Sequence, residues 1–115
     1  MGKFGQNLER TIQAVDNLKQ VFKSNLGIGD TALLLTENSL YRIRKIEDQL
    51  YEVSGGWFDL NGLSPMVLPI RGCTWGGSMI KVDIVAACGL CLEFGNNLTT
   101  SRIRKIILFP ASALN

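Results

Sequence analysis

The stretch TALLLTENSLYRIRKI, residues 31–46, decides the fold that the sequence predicts. It begins with an apolar run, Thr31–Thr36, and passes through the turn-forming residues Glu37–Ser39. A second run, Leu40–Ile46, follows, and in an extended chain its arginines share one face while Ile43 lies on the other. Two such runs joined by a short polar turn are typical of an antiparallel pair of strands. The sequence therefore predicts a β-hairpin here.

Part of this hairpin recurs near the other end of the chain. The segment RIRKI occupies residues 42–46 and again residues 102–106. The second copy also follows a leucine-rich run and an asparagine-containing turn, so both copies are predicted to be the second strand of a hairpin. A structural duplication and a coincidence of sequence both remain open explanations of the repeat.

Other short β-prone runs lie outward from the hairpin, separated by turns rich in glycine and asparagine. Six or seven such strands at this spacing predict a small antiparallel barrel or sandwich. The loop Arg71–Ser78 is predicted to separate two of the strands. The predicted strands after the hairpin are Leu50–Val53, Met66–Ile70, Met79–Val85, Leu90–Phe94 and Thr99–Phe109.

The N-terminal region has a helical rather than a β period. Its apolar residues fall three or four positions apart, on one face of a helix, and Gly27 is placed to end that helix. These apolar residues are Phe4, Leu8, Ile12, Val15, Leu18, Phe22 and Leu26. The predicted fold class is thus α+β: one amphipathic helix (1–26) packed on a β-rich core (27–110), with a tail (111–115), in a single domain. Self-association through part of the helix is a further expectation.

Composition excludes several kinds of chemistry. The chain of 115 residues contains no histidine, which excludes Ser-His-Asp and Cys-His catalysis and every histidine-containing metal site. Its net charge of +2 is smaller than that of a dedicated nucleic-acid binder. Three cysteines are an odd number and fit a reducing cytoplasm, and no apolar run is long enough to cross a membrane. A cytoplasmic protein without membrane segments is predicted.

Two motifs are candidates for binding anions. Arg42, Arg44, Arg102 and Arg104 would form a basic stripe for nucleic acid if the two RIRKI strands were close together, but solvated arginines on half-buried strands are the favoured explanation. The glycine-rich loop of Gly76, Gly77 and Ser78, followed by Lys81, could hold an anion on backbone amides. Its residue order differs from that of a phosphate-binding P-loop, and a plain loop is the alternative.

The cysteines are predicted to be core residues. Cys88 and Cys91 have the spacing of a zinc or redox motif, but only Cys73 remains to join them, and a structural zinc takes four protein ligands. Free cysteines are common in protein cores. No metal and no cofactor are therefore expected.

Five segments resemble, in order, a small uncharacterised bacterial family of β-rich proteins, over residues 29–107. That family has no assigned activity, so the resemblance implies a fold and no functional residues. It also implies that any binding site lies at the Gly76–Ser78 loop and near Ser101. The segments are TENSLY (36–41), GGWF (55–58), GGSMIK (76–81), LEF (92–94) and TTSRI (99–103).

Three functional hypotheses follow from these patterns. The first is a non-enzymatic binding or assembly module that forms homo-oligomers. The second is a nucleic-acid-binding protein that uses the arginine strands. The third is a small enzyme or redox protein, which the lack of histidine makes the least favoured.

Overall fold

A computed structural model describes residues 18–76 and 79–111 of the chain. Of these residues, 57% are in strands and 10% are helical, so the protein is mostly β rather than α+β as predicted. The strands are β1 (Gln20–Phe22), β2 (Thr31–Thr36), β3 (Leu40–Glu47), β4 (Leu50–Gly55), β5 (Met66–Leu68), β6 (Ile70–Thr74), β7 (Ile80–Lys81), β8 (Ile84–Ala87), β9 (Cys91–Phe94) and β10 (Thr99–Phe109). The helical segments include a 3-10 turn at Lys23–Asn25 and the short helix α1 (Gly56–Leu60).

The strands form two antiparallel sheets. Eight of them are ordered β5-β4-β3-β2-β10-β9-β6-β7, and β1 pairs with β8 in a separate sheet. The long strand β10 joins the two halves of the large sheet, because it pairs with β2 on one side and with β9 on the other. A bulge between Ile103 and Lys105 interrupts its pairing with β2. The predicted barrel is not formed by the described strands, since β5 and β7 remain the two edges of an open sheet.

The hairpin predicted over residues 31–46 is confirmed. Strand β2 has the predicted bounds, and β3 extends one residue beyond Ile46. Across the turn, the Ser39 carbonyl accepts the Thr36 backbone N–H at 2.8 Å and the Thr36 Oγ1 hydroxyl at 3.0 Å. The second hairpin, β9 and β10, is closed by the Phe94 N–H donating to the Leu98 carbonyl at 2.9 Å. Both RIRKI segments are thus the second strand of a hairpin.

The amphipathic helix predicted over residues 1–26 is wrong for residues 18–26, and residues 1–17 lie outside the described residues. Residues 18–26 contain β1 and the 3-10 turn, and the described chain has no helix of seven or more residues. The predicted C-cap glycine, Gly27, instead donates its N–H to Asp30 Oδ2 at 2.8 Å in a turn.

Long-range pairing explains why the helical period failed there. Val21, which lies off the predicted apolar stripe, is buried, whereas Phe22, which belongs to the stripe, is partly exposed. This alternation is the two-residue period of a strand. Val21 lies opposite Ala86 of β8, a strand far away in sequence. Tertiary pairing of this kind routinely overrides a local propensity.

Three further boundaries differ from the prediction. The predicted loop Arg71–Ser78 begins inside β6, so the chain is extended as far as Thr74. The single strand predicted at Met79–Val85 is two strands, β7 and β8, separated by a turn. The glycine pair at Gly55 and Gly56 begins α1 rather than only breaking a strand.

One hydrophobic core lies on the inner faces of the strands. An aromatic cluster anchors it, with ring centroids of Phe58 and Phe94 at 5.1 Å and of Tyr41 and Phe94 at 5.9 Å. Phe58 comes from α1, so this short helix is fixed by core packing and not by its own length. Among the helices described, none is long and apolar enough to span a membrane.

Candidate functional site

The side of strands β3, β2 and β10 that faces away from the core carries a regular array of side chains, which we call the outer face. Antiparallel register places these side chains in three rows, each with one residue from β10, one from β2 and one from β3. The first row is Lys105, Leu35 and Leu40; the second is Ile107, Leu33 and Arg42; the third is Phe109, Thr31 and Arg44.

The outer face is largely apolar although it is not covered by the described chain. Leu35 is 46% exposed and Leu40 is 51% exposed, whereas Leu34, which precedes Leu35 and faces inward, is completely buried. Two shallow depressions adjoin at Leu33, with volumes of about 190 Å³ and about 290 Å³. Contiguous exposed apolar surface on a small protein marks an interaction site more often than isolated apolar residues do.

Cations flank this apolar surface on both sides. Arg44 pairs with Glu52 of β4, with Nη2 at 3.3 Å from Oε1. Arg42 and Lys105 form no ion pair with any residue in the described ranges. They lie two strands and one row apart, so their Cα atoms are separated by roughly 12 Å. The outer face therefore combines an apolar centre with two positive charges at opposite sides that no carboxylate of the described residues compensates.

Sequence analysis missed the outer face, although the chain contains a signal for it. Strand β2 has the continuous apolar run Ala32–Leu35, and β10 has the run Ile106–Phe109. A strand with one solvated face normally alternates, and a continuous apolar run indicates apolar surroundings on both faces. That signal identifies the two strands. It does not identify which residues of β3 and β10 lie on either side of each β2 residue, because the strand register with its bulge sets that arrangement.

The structure does not assemble the four predicted arginines into one stripe. Arg42 and Arg44 lie on β3 beside Leu33 and Thr31, whereas Arg102 is opposite Cys91 near the other end of the sheet. Strand β2 lies between the two RIRKI strands. Among the described residues, only Arg42 of the four lacks a polar partner: Arg104 pairs with Glu37 at 3.7 Å and Arg102 donates to the Gly89 carbonyl at 2.8 Å.

Of the predicted glycine-rich site, the structure describes Gly76, Lys81 and Ser101, and it places Ser101 on a different strand from Lys81. Gly77 and Ser78 lie outside the described residues. The backbone N–H of Gly76 donates to Thr74 Oγ1 at 3.2 Å, and Lys81 Nζ lies 4.9 Å from the centre of the Trp75 ring. Ser101 is on β10, which is separated from β7 by the two strands β9 and β6, and the Ser101 Oγ accepts the Asn38 N–H at 3.1 Å. Lys81 and Ser101 thus have separate local partners.

The three cysteines are free thiols in different surroundings. Cys73 is buried on the inner face of β6, and burial raises the pKa of its thiol to about 12. Cys88 is partly exposed, with its Sγ 3.4 Å from the Leu18 carbonyl, and Cys91 is partly exposed at the start of β9. Within residues 18–76 and 79–111, no group of three or more side chains is arranged to hold a metal ion.

Comparisons of the chain with protein-family models, with curated proteins and with solved structures give no match. The resemblance of residues 29–107 to a bacterial family of β-rich proteins therefore stays a prediction. Any functional inference rests on the outer face itself.

Proposed function

We propose that this protein is a non-enzymatic binding module that holds an acidic amphipathic helix of a partner protein on its outer face. The observation that carries the proposal is the exposed apolar surface centred on Leu33 and Leu35, between Arg42 and Lys105, two cations with no ion-pair partner among the described residues. Each exposed leucine that becomes buried contributes roughly 1–3 kcal/mol to association.

The position of the face determines how a partner can bind. Strands β2 and β10 are internal to the sheet, so their backbone groups already bond to neighbouring strands. A partner strand therefore cannot extend the sheet here, and recognition must occur through side chains. The apolar zone between the flanking β3 and β10 is roughly 10 Å wide, which is close to the diameter of an α-helix with its side chains. A helix laid along β2 fills this width.

Charge selects the kind of helix. Arg42 and Lys105 would flank the bound helix on opposite sides, offset by about one helical turn. Carboxylates at the edges of the apolar stripe of the partner would pair with both cations, whereas lysines there would be repelled. A second copy of this chain fits less well, because any two-fold pairing of outer faces brings like charges together.

A cytoplasmic location is part of this proposal. All three cysteines are free thiols, and two of them are partly exposed. Exposed thiols persist in the reducing cytoplasm and become oxidised in secretory compartments. A nucleic-acid partner is less favoured, since most of the repeated arginines already have protein partners.

The test uses synthetic helical peptides as probes, with the full chain as the receptor. One peptide carries a leucine stripe flanked by glutamates, and its control has lysines in place of the glutamates. We expect the acidic peptide to bind in the micromolar range by fluorescence anisotropy, and the basic peptide to bind at least tenfold more weakly. Leu35→Asp should weaken binding by at least tenfold. Leu60→Asp, a change at a leucine that is 85% exposed on α1, should leave binding unchanged.

Several outcomes would overturn the proposal. Equal binding of the two peptides would show nonspecific apolar adhesion, and unchanged binding by Leu35→Asp would place the site elsewhere. Absence of binding by the acidic peptide would remove the proposal altogether. Nuclear Overhauser contacts between the Leu33 or Ile107 methyl groups and residues 1–17 of the same molecule would show that the chain covers its own outer face.

A further inference from the structure

The third row of the outer face contains a small depression of different character from the rest. Its volume is about 190 Å³, and Thr31, Leu33, Arg42 and Phe109 line it. Thr31 lies opposite Phe109 on β10, and Leu33 lies opposite Arg42 on β3. A hydroxyl and a guanidinium therefore lie diagonally across one small apolar hollow, a combination that purely apolar binding does not require.

Thr31 is an anomaly of the fold. Its side chain is 4% exposed, and its Oγ1 has no hydrogen-bond partner in the part of the chain that the structure describes. Most buried hydroxyl groups in proteins are paired, because an unpaired one costs free energy. A valine has almost the same shape and would avoid that cost. The hydroxyl therefore lowers stability in the unbound protein, which is a common feature of functional residues.

Arg42 is the matching anomaly on β3. Its neighbour on the same face, Arg44, has a carboxylate partner in Glu52, and Arg71 has one in Glu93 at 3.2 Å. Arg42 has no carboxylate partner among the described residues. A guanidinium beside apolar walls binds a carboxylate more strongly than one in open water, because the local dielectric is lower.

We infer that this depression is a carboxylate subsite, in which Arg42 and the Thr31 hydroxyl together bind a glutamate or aspartate side chain of the bound helix. Arg42 supplies the charge, and a rotation about χ1 of Thr31 turns its hydroxyl toward the carboxylate as a donor. Leu33 and Phe109 contact the methylene stem of the acidic side chain. The subsite fixes the register of the helix along β2. This inference rests on the proposed function, since it specifies one contact of the same surface.

The experiment is a double-mutant cycle with the acidic peptide. Each glutamate of the peptide is replaced by glutamine, one at a time, and each peptide is titrated calorimetrically against wild type, Thr31→Val and Arg42→Gln. One glutamate should account for most of the effect. Its replacement should weaken binding to wild type by about tenfold, but binding to either variant by less than threefold. Thr31→Val should also raise the midpoint of urea unfolding, a gain that a hydroxyl needed only for structure would not give.

The outcomes distinguish failure of the carboxylate subsite from failure of the outer face as a binding surface. If all glutamine peptides bind wild type as tightly as the parent while Leu35→Asp still abolishes binding, the subsite is disproved and the proposed function stands. Additive losses of binding free energy from Thr31→Val and from the glutamine replacement would also disprove the subsite. A peptide that loses affinity only when its free C-terminal carboxylate is amidated would identify the chain terminus as the ligand, contrary to the side-chain assignment. If no peptide binds, both proposals fail.

Discussion

Cys73 shows how burial in the sheet controls the chemistry of a single side chain. It lies on the inner face of β6 in the core, and desolvation is the main cause that raises the pKa of its thiol to about 12, from 9.0 for the free group. The folded protein therefore keeps this proton at pH values where the unfolded chain has lost it. The contribution to stability is complete below pH 9 and is lost as the pH rises toward 12. Burial raises the pKa of Tyr51 as well, which acts in the same direction.

Replacing Cys73 with alanine should flatten the alkaline part of the stability profile. Between pH 9 and pH 11 the free energy of unfolding of the wild type should fall by up to about 1.4 kcal/mol per pH unit from this one thiol. Cys73→Ala should be less stable at pH 7, because it leaves a cavity, but should lose less stability with rising pH. Urea unfolding at a series of pH values measures both effects. Cys91→Ala is the control, and a Cys73→Ala profile parallel to that of Cys91→Ala would contradict the burial argument.

At the scale of elements, local patterns predicted the hairpins and failed where pairing is distant. The hairpins of residues 31–46 and 91–109 contain their own pairing partners, so alternation and turn residues suffice to predict them. Strand β1 pairs with β8, which is distant in sequence, and no local sequence pattern indicates that pairing. The apolar residues in and around β1 instead recur at the three- and four-residue spacing of a helix. Similarly, β6 ends in glycine-rich sequence that resembles a loop, but pairs with β9.

Two glycines with nearly equal φ offer a test of close packing between elements. Gly55, at the junction of β4 and α1, has φ of +95°, and Gly89, in the turn before β9, has φ of +89°. A Cβ atom at Gly55 would lie 2.2 Å from the Leu40 carbonyl oxygen, whereas one at Gly89 would meet nothing within 4 Å. A positive φ strains alanine at either position by roughly 1–3 kcal/mol, and Gly55, with ψ of 179°, has a conformation that is essentially restricted to glycine.

Gly55→Ala should therefore destabilise the protein by several kcal/mol, and Gly89→Ala by about 1 kcal/mol. The difference reports the clash with β3 together with the additional backbone strain at Gly55. Chemical denaturation of the two variants, compared with wild type at one pH, provides the measurement. Equal losses of stability would mean that the approach of β4 to the Leu40 carbonyl is not tight.

At the scale of the whole molecule, the register of the sheet creates the outer face. The bulge between Ile103 and Lys105 brings Lys105, Ile107 and Phe109 onto the side of the sheet that faces away from the core. Apolar runs in β2 and β10 could be recognised from the sequence, but the bulge and the position of β2 between the RIRKI strands could not. For that reason arginines acting together were one hypothesis from the sequence, whereas the structure has an apolar face with Arg42 at its side.

This arrangement of charge predicts opposite effects of salt on two kinds of association. In a two-fold pair of outer faces centred on β2, Arg42 of one copy lies within about one row of either Arg42 or Lys105 of the other. Repulsion should keep the isolated protein monomeric at about 50 mM salt, and screening at about 500 mM should permit weak self-association through the leucines. Binding of the acidic peptide should weaken over the same range. Sedimentation velocity and fluorescence anisotropy measure the two equilibria.

A charge reversal at one side of the outer face tests whether charge repulsion, and not hydrophobic contact alone, controls self-association. Lys105→Glu places an acid on β10, where a two-fold axis along β2 brings it over Leu40 of the second copy, one row from Arg42 of that copy. The variant should dimerise at low salt, and the dimer should weaken as salt rises, because attraction has replaced repulsion. Its preference for the acidic peptide over the basic one should fall by about tenfold. A wild-type dimer that is stable at low salt and unaffected by this substitution would show that self-association uses another surface.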